Sequence, residues 1–133
     1  MTKIEHIGIA VNNLEQASNL YETLLGVHCY KTELVVSEAV ETAFFQVGNN
    51  KVELLSPTSD DSVIARFIAK KGEGIHHVAF EVTDIFKEME RLKAAGFTLL
   101  NDQPKIGADN KLVCFVHPKG TKGVLIELCQ NRS

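Results

Sequence analysis

The chain has 133 residues, of which 44% are apolar and 23% charged, and its net charge is −3. These values predict one globular domain and argue against a protein that binds nucleic acid or a membrane surface. No apolar run reaches membrane-spanning length and no signal-peptide pattern stands at the N-terminus, so we expect a cytoplasmic protein with no membrane partner. The three cysteines, Cys29, Cys114 and Cys129, form no CxxC motif, and we expect them to be reduced and to pack as small apolar side chains.

The first half of the chain predicts a β-α-β-β-β module over residues 3–57. Its strands are predicted over residues 3–11, 27–36, 40–47 and 51–56. Asn13 and Gln16 have the spacing of a capping box at the start of the helix, and Gly26 ends it. The apolar stripe of this helix is predicted to consist of Leu14, Ala17, Leu20, Tyr21 and Leu24.

A linker and short helix are predicted over residues 58–73, with Asp60 or Asp61 as the helix cap. The second half, residues 74–130, repeats the β-α-β-β-β order. Its strands are predicted over residues 75–82, 97–101, 111–117 and 123–129. Its helix begins at Thr83 or Asp84 and ends at Gly96, and its predicted inward side chains are Ile85, Met89 and Leu92.

An internal repeat organises these elements. Residues 4–11 match residues 75–82 position for position, and the shared polar residue is histidine, His6 in one strand and His77 in the other. The chain is therefore predicted to be α+β, built of two tandem βαβββ modules in a single domain over residues 1–133. Each module is predicted to form one sheet with a helix on its outer face. The inner face must then be covered by the other module or by a ligand.

A second shared residue stands in the last strand of each module. Glu53 follows His6 by 47 residues, and Glu127 follows His77 by 50. A lone carboxylate in an apolar strand is costly to bury unless it is paired or binds a metal. Pseudo-twofold packing would bring the four side chains to one point between the sheets.

Two imidazoles and two carboxylates suit a divalent cation such as cobalt, nickel, zinc or manganese, with open positions for substrate. The alternative is a symmetric sandwich with two core histidines and two edge glutamates. The fourfold recurrence favours the metal site formed by His6, Glu53, His77 and Glu127. His76 points to the opposite face of its strand, and we interpret it as structural or supporting.

Five stretches together resemble the methylmalonyl-CoA epimerases, a family of the vicinal oxygen chelate superfamily that also contains glyoxalase I. They are residues 6–11, 21–26, 52–57, 72–80 and 117–128. The sequences GEGIHH and HPKGTKGVLIEL carry most of the specificity. The resemblance extends over essentially the whole chain and implies the glyoxalase-like fold.

The resemblance implies epimerisation at C2 of a CoA thioester, by removal of a proton from one face and its return on the other. It implies a divalent metal, with cobalt first, that stabilises the enolate as a Lewis acid. Glu127 is then both a metal ligand and a candidate acid/base group. A homodimer is also implied.

The second acid/base group stays open. Thr42 stands where some members of the family carry a glutamate, and threonine is a poor base. Glu41 points to the opposite face of a regular strand unless a bulge rotates it. A water molecule and Glu53, after it leaves the metal, are further candidates for this role.

Substrate binding is predicted at the glycine-rich turn of Lys119, Gly120, Thr121 and Lys122, through backbone amides or the two lysines. Arg66, Lys70 and Lys71 are further candidates for CoA phosphates, although surface cations of this kind are common.

Two different functions compete with the epimerase. Glyoxalase I would use the same scaffold and metal, but residues 4–25 hold no lysine or arginine for glutathione. A metal-free module that binds a small molecule would not need the complete His/Glu set.

Overall fold

The computed structural model describes residues 1–132 and contains eight β-strands and three α-helices, which confirms the α+β class. The chain divides into two compact units. We call His6–His76 the N-terminal module. We call Met1–Glu5 together with residues 77–132 the C-terminal module, because the first five residues group with the second half of the chain.

In the N-terminal module the strands follow the order β2-β3-β4-β1, and the module includes β1 from His6 onwards. The strands are β1 (Lys3–Ala10), β2 (Lys31–Val35), β3 (Val40–Val47) and β4 (Asn50–Pro57), and the helices are α1 (Leu14–Leu25) and α2 (Val63–Lys71). Strands β1 and β4 are parallel, while β2, β3 and β4 pair antiparallel. A 3₁₀ turn over Val36–Glu38 joins β2 to β3.

The C-terminal module repeats this topology with the order β5-β8-β7-β6. The strands are β5 (Gly74–Glu81), β6 (Lys105–Ile106), β7 (Lys111–Val116) and β8 (Ile126–Asn131), and the helix is α3 (Ile85–Ala94). Strands β5 and β8 are parallel, and β7 pairs antiparallel with both β8 and β6. The β-α-β-β-β repeat read from the sequence is therefore present in both modules.

Helix α1 begins and ends where the sequence predicts. The side chain of Asn13 accepts a hydrogen bond from the backbone N–H of Gln16, and Gly26 follows the helix in the left-handed conformation. The predicted apolar stripe is partly wrong, because Leu20 and Leu24 are exposed. The side chains that pack against the outer face of the sheet are Leu14, Ala17, Tyr21 and Leu25.

Helix α2 covers part of the opposite, inner face of the N-terminal sheet, where Ile64 packs with Ala10, Val40 and Leu55. Its cap is Ser62, whose hydroxyl accepts a hydrogen bond from the N–H of Ile64. The prediction of Asp60 or Asp61 was therefore wrong by one or two positions.

Helix α3 packs on the outer face of the C-terminal sheet. Asp84 caps it as predicted, by accepting a hydrogen bond from the N–H of Lys87. Its three predicted inward residues, Ile85, Met89 and Leu92, are buried against β7 and β8. Both modules thus place one amphipathic helix outside their sheet and leave part of the inner face to other residues.

The predicted strand over residues 97–101 is wrong. The N–H of Phe97 donates to the carbonyl of Leu92, which keeps the chain against the end of α3. The segment pairs with β7 through an isolated bridge between Leu99 and Val116, and the N–H of Phe115 also donates to the side chain of Asn101. The strand that pairs further along β7 is the two-residue β6, at a place where the sequence predicts no strand.

The cysteines follow the sequence expectation. Cys114 and Cys129 are buried, Cys29 is half-buried, and all three are free thiols. Within residues 1–132, no helix combines the length and the apolar character that a membrane span requires.

Candidate active site

The first half of the predicted site is a buried contact between β1 and β4. Nδ1 of His6 lies 2.8 Å from Oε2 of Glu53, and the two side chains are 4% and 6% exposed. Strands β1 and β4 pair in parallel with Gly8 opposite Glu53, so the histidine stands two residues before the partner of the glutamate. Alternation along β1 places His6 and Gly8 on the same face.

The second half of the predicted site has the same construction in the C-terminal module. Nε2 of His77 lies 3.3 Å from Oε1 of Glu127, and the side chains are 5% and 9% exposed. Ala79 pairs with Glu127, so His77 also stands two residues before the partner of the glutamate. Each module therefore brings together the histidine and the glutamate that the sequence repeat matches.

The donor chemistry of each pair fits a divalent cation. Imidazole nitrogen and carboxylate oxygen are the ligands that cobalt, zinc, nickel and manganese accept, and each pair offers one of both. Burial of a carboxylate is costly without a hydrogen-bonding or metal partner, and here the imidazole is that partner. In each pair the histidine and the glutamate are therefore placed either to bind a metal together or to serve as each other's polar partner.

One aromatic residue accompanies each pair, and neither was expected from the sequence. Phe44 on β3 pairs with Glu53, and Phe115 on β7 pairs with Glu127. The ring of Phe115 meets the imidazole of His77 edge-on at 5.8 Å between centroids. An alignment of the two halves by strand would have revealed these phenylalanines, because each lies on the strand just before the one that carries its glutamate.

The residues considered for the second acid/base group lie on opposite faces of β3, as alternation predicts. Thr42 is fully buried, and its hydroxyl donates a hydrogen bond of 3.2 Å to the backbone carbonyl of Glu33. Glu41 is exposed, and its partner in the sheet is Ser56. Regular pairing runs along the whole of β3, so no bulge turns Glu41 inward.

The turn of Pro118–Thr121 uses two of its backbone amides internally. The N–H of Lys119 donates to Nδ1 of His117, and the N–H of Gly120 donates to the carbonyl of His117. Binding by Lys119, Gly120, Thr121 and Lys122 stays a prediction. The contacts that remain available for this binding are those of Thr121 and of the side chains of Lys119 and Lys122. The backbone amides of Lys119 and Gly120 already have partners within the turn.

Two further polar residues of β5 have structural partners. His76 meets Phe67 of α2 edge-on at 4.9 Å, and burial lowers the pKa of its imidazole to about 4. Glu81 accepts a hydrogen bond of 3.0 Å from the hydroxyl of Thr2. The contact of His76 agrees with its interpretation as a structural or supporting residue.

A buried ion pair in the C-terminal module was not expected from the sequence. Nζ of Lys111 lies 3.9 Å from Oε2 of Glu5, with the two side chains 10% and 3% exposed. Lys111 also donates a hydrogen bond to Oδ1 of Asn131. Glu5 directly precedes His6 in the chain, and no sequence pattern marks a lysine at the start of β7 as its partner.

Comparisons with known proteins identify the family of this chain. A family model described as the Glyoxalase/Bleomycin resistance protein/Dioxygenase superfamily matches residues 5–115. An ethylmalonyl-CoA/methylmalonyl-CoA epimerase of Cereibacter sphaeroides is 41% identical over 130 residues, which cover 96% of this chain and 97% of the relative.

Two solved structures are similar along the whole chain. One is a methylmalonyl-CoA epimerase in complex with methylmalonyl-CoA and NH4+, with a TM-score of 0.95, 32% identity and coverage of 100% of this chain and 96% of the other. The other is a variant of the Streptomyces coelicolor epimerase in complex with 2-nitronate-propionyl-CoA, with the same TM-score, identity and coverage. The chain belongs to the glyoxalase/bleomycin resistance protein/dioxygenase superfamily and, within it, to the family of the methylmalonyl-CoA epimerases.

Proposed function

We propose that this protein is an isomerase that interconverts (2R)- and (2S)-methylmalonyl-CoA with the help of a divalent metal. The observation that carries the proposal is the buried His–Glu pair, which recurs at the same register position in both modules. The epimerases among its relatives add support from the whole length of the chain.

The proposed metal ligands are His6, Glu53, His77 and Glu127. The matched burial and register of the two pairs support a shared role, and their mixed nitrogen and oxygen donors fit cobalt, zinc, nickel or manganese. Cobalt comes first only because of the resemblance to the epimerases. A bound divalent cation would supply Lewis-acid stabilisation of the negative charge that develops on the substrate.

The proton chemistry falls to the side chains. The hydrogen at C2 of methylmalonyl-CoA is acidic because the carbanion formed by its removal is conjugated with the thioester carbonyl. Glu127 is the proposed group for one face of C2, where its carboxylate removes the proton or its carboxylic acid returns one. Epimerisation requires a second group for the other face.

The proposed substrate is a CoA thioester, bound with help from the turn of Lys119, Gly120, Thr121 and Lys122. A malonyl thioester carries a carboxylate and CoA carries phosphates, and the lysine ammonium groups suit both.

The cytoplasm is the proposed location of the protein. A homodimer is the proposed assembly, and light scattering after gel filtration tests it.

Deuterium exchange tests the function. The metal-loaded protein is incubated in deuterated water with (2R)- or (2S)-methylmalonyl-CoA, and separately with ethylmalonyl-CoA and with the glutathione hemithioacetal of methylglyoxal. We expect deuterium at C2 and conversion between epimers for methylmalonyl-CoA. Absence of exchange with cobalt, nickel, manganese and zinc would contradict the proposal, and turnover of the hemithioacetal alone would identify a glyoxalase.

A further inference from the structure

The proposed function leaves one chemical role unassigned, and any inference about that role rests on the proposed function. An epimerase needs an acid/base group for each face of C2, and Glu127 serves one of them. The inner face of the N-terminal sheet, which carries His6 and Glu53, is the place to search for the other. Cross-strand pairing determines which side chains share this face.

One carboxylate on this face has no role so far. Strands β2, β3 and β4 carry three glutamates, Glu33, Glu41 and Glu53. Glu53 contacts His6, and Glu41 is exposed opposite Ser56 on the outer side. Glu33 of β2 pairs directly with Thr42 of β3, and paired residues point to the same side of a sheet.

The neighbours of Glu33 confirm which face it occupies. Thr42 is fully buried and pairs in turn with Leu55, which belongs to the inner-face cluster covered by α2. Val35, two residues after Glu33 on β2, packs against the same cluster. The side chain of Glu33 is 34% exposed, so its carboxylate lies on the inner face yet remains within reach of a ligand from solvent.

Lys31 links Glu33 to the neighbourhood of Glu53. Its Nζ lies 3.8 Å from Oε1 of Glu33 and 4.6 Å from the ring centroid of Phe44. Phe44 is the cross-strand partner of Glu53. Lys31 thus contacts both the carboxylate of Glu33 and the ring of Phe44, which lies beside the predicted metal ligand Glu53.

We propose that Glu33 is the second acid/base group of the epimerase. In one direction, an ionised carboxylate of the pair Glu33 and Glu127 takes the C2 proton, and the electron pair of the broken C–H bond moves into the thioester carbonyl. The other residue, as a carboxylic acid, then donates its proton to the opposite face of C2. The two residues exchange protonation states in each turnover, which suits a reversible reaction.

The substitution Glu33→Gln separates the two proton transfers. Loss of a positioned acid/base group costs about 10²–10⁴-fold in rate, and we expect epimerisation to fall by that factor. Glu127 remains, so one of the two epimers should still exchange its C2 hydrogen with deuterated water and keep its configuration. Both reactions are followed by NMR on each pure epimer, with melting temperature and cobalt content measured alongside.

Two variants sharpen this experiment. Glu41→Gln removes a carboxylate from the same hairpin on the opposite face, and it should leave both epimerisation and exchange unchanged. Glu33→Asp keeps the carboxylate and should recover part of the epimerisation that Glu33→Gln loses. A purely structural role of Glu33 would not yield exchange with retention of configuration.

The outcomes distinguish this inference from the proposed function. If the unmodified protein exchanges and epimerises while Glu33→Gln does so within about threefold of it, the Glu33 inference is wrong. Equal losses of exchange from both epimers would also overturn it, because they would indicate a role in binding. An unmodified protein that exchanges neither epimer contradicts the proposed function itself.

Discussion

Each carboxylate of the candidate site lies against an imidazole, and the two pairs have nearly the same burial. At the scale of single residues, this matching favours a repeated functional pair over two unrelated core histidines. It also means that removal of one member leaves its partner buried without compensation.

Metal binding should depend on both members of the C-terminal pair. We expect His77→Ala and Glu127→Ala each to lose bound metal while circular dichroism shows a folded protein. The measurement is the cobalt content after gel filtration and the dissociation constant from titration. His28→Ala is the matched control, since that side chain is 96% exposed. Full stoichiometry in both site variants would refute the ligand assignment.

The buried pair of Glu5 and Lys111 gives a prediction about stability. Lys111→Met leaves the carboxylate of Glu5 buried without its cation, and we expect a loss of about 3–5 kcal/mol in the free energy of unfolding. Adding Glu5→Leu should recover most of that loss, because the uncompensated carboxylate of Glu5 is then removed as well.

Urea titration measures both variants of this pair. Arg91→Gln is the control, since it breaks the exposed contact of Arg91 with Glu88 in the same module and should change little. A double variant as unstable as Lys111→Met alone would show that the pair does more than neutralise buried charge.

Cap rules and periodicity located the elements better than their edges. Asn13 and Asp84 cap their helices as predicted, whereas α2 is capped by Ser62 and not by the predicted Asp60 or Asp61. The stripe of α1 shifted from Leu24 to Leu25 because both residues fit a helical period. Only contact with the sheet distinguishes them.

That shift in α1 can be tested directly with two neighbouring leucines. Leu25 packs against the sheet and Leu24 is 70% exposed. Leu25→Ala should cost about 2–3 kcal/mol of stability, whereas Leu24→Ala should stay within about 0.5 kcal/mol of the unmodified protein. Thermal and urea unfolding of the two variants side by side provide the comparison. Equal losses would mean that the exposed residue is covered in solution, as at a subunit interface.

For the molecule as a whole, acid should reduce stability through His76. Its pKa is about 4 in the folded chain against an ordinary value of 6.5, because burial disfavours the charged ring. Between these values the unfolded chain binds a proton that the folded chain does not, so stability falls as pH decreases from 6.5 towards 4. The contribution is about 2–3 kcal/mol between pH 7 and 4.5.

His76→Phe should remove that part of the pH dependence. We propose urea titrations at pH 7 and 4.5 on protein freed of metal with a chelator, with His28→Phe as the matched exposed control. An unchanged difference in stability between the two pH values in His76→Phe would show that other groups dominate the acid response.

The repeat made most of the fold and the two His–Glu contacts predictable, since the same histidine, glutamate and glycine positions recur in both halves. The position of Glu33 could not be predicted. Its face depends on the register of β2 against β3, and a one-residue change in the turn over Val36–Glu38 would reverse it. The pair of Glu5 and Lys111 could not be predicted either, because it joins residues far apart in the chain and depends on how the strands pair.

Residues Met1–Glu5 form part of the C-terminal module, and the backbone N–H of Thr2 donates to the carbonyl of Glu81. A ribosome synthesises these residues well before their partners on β5 and β7. Residues 1–5 therefore lack these partners during translation even after the whole N-terminal module has emerged. Nascent chains that continue after residue 76 with a linker long enough to clear the ribosomal tunnel should accordingly protect His6–His76 from protease, while residues 1–5 remain open to cleavage.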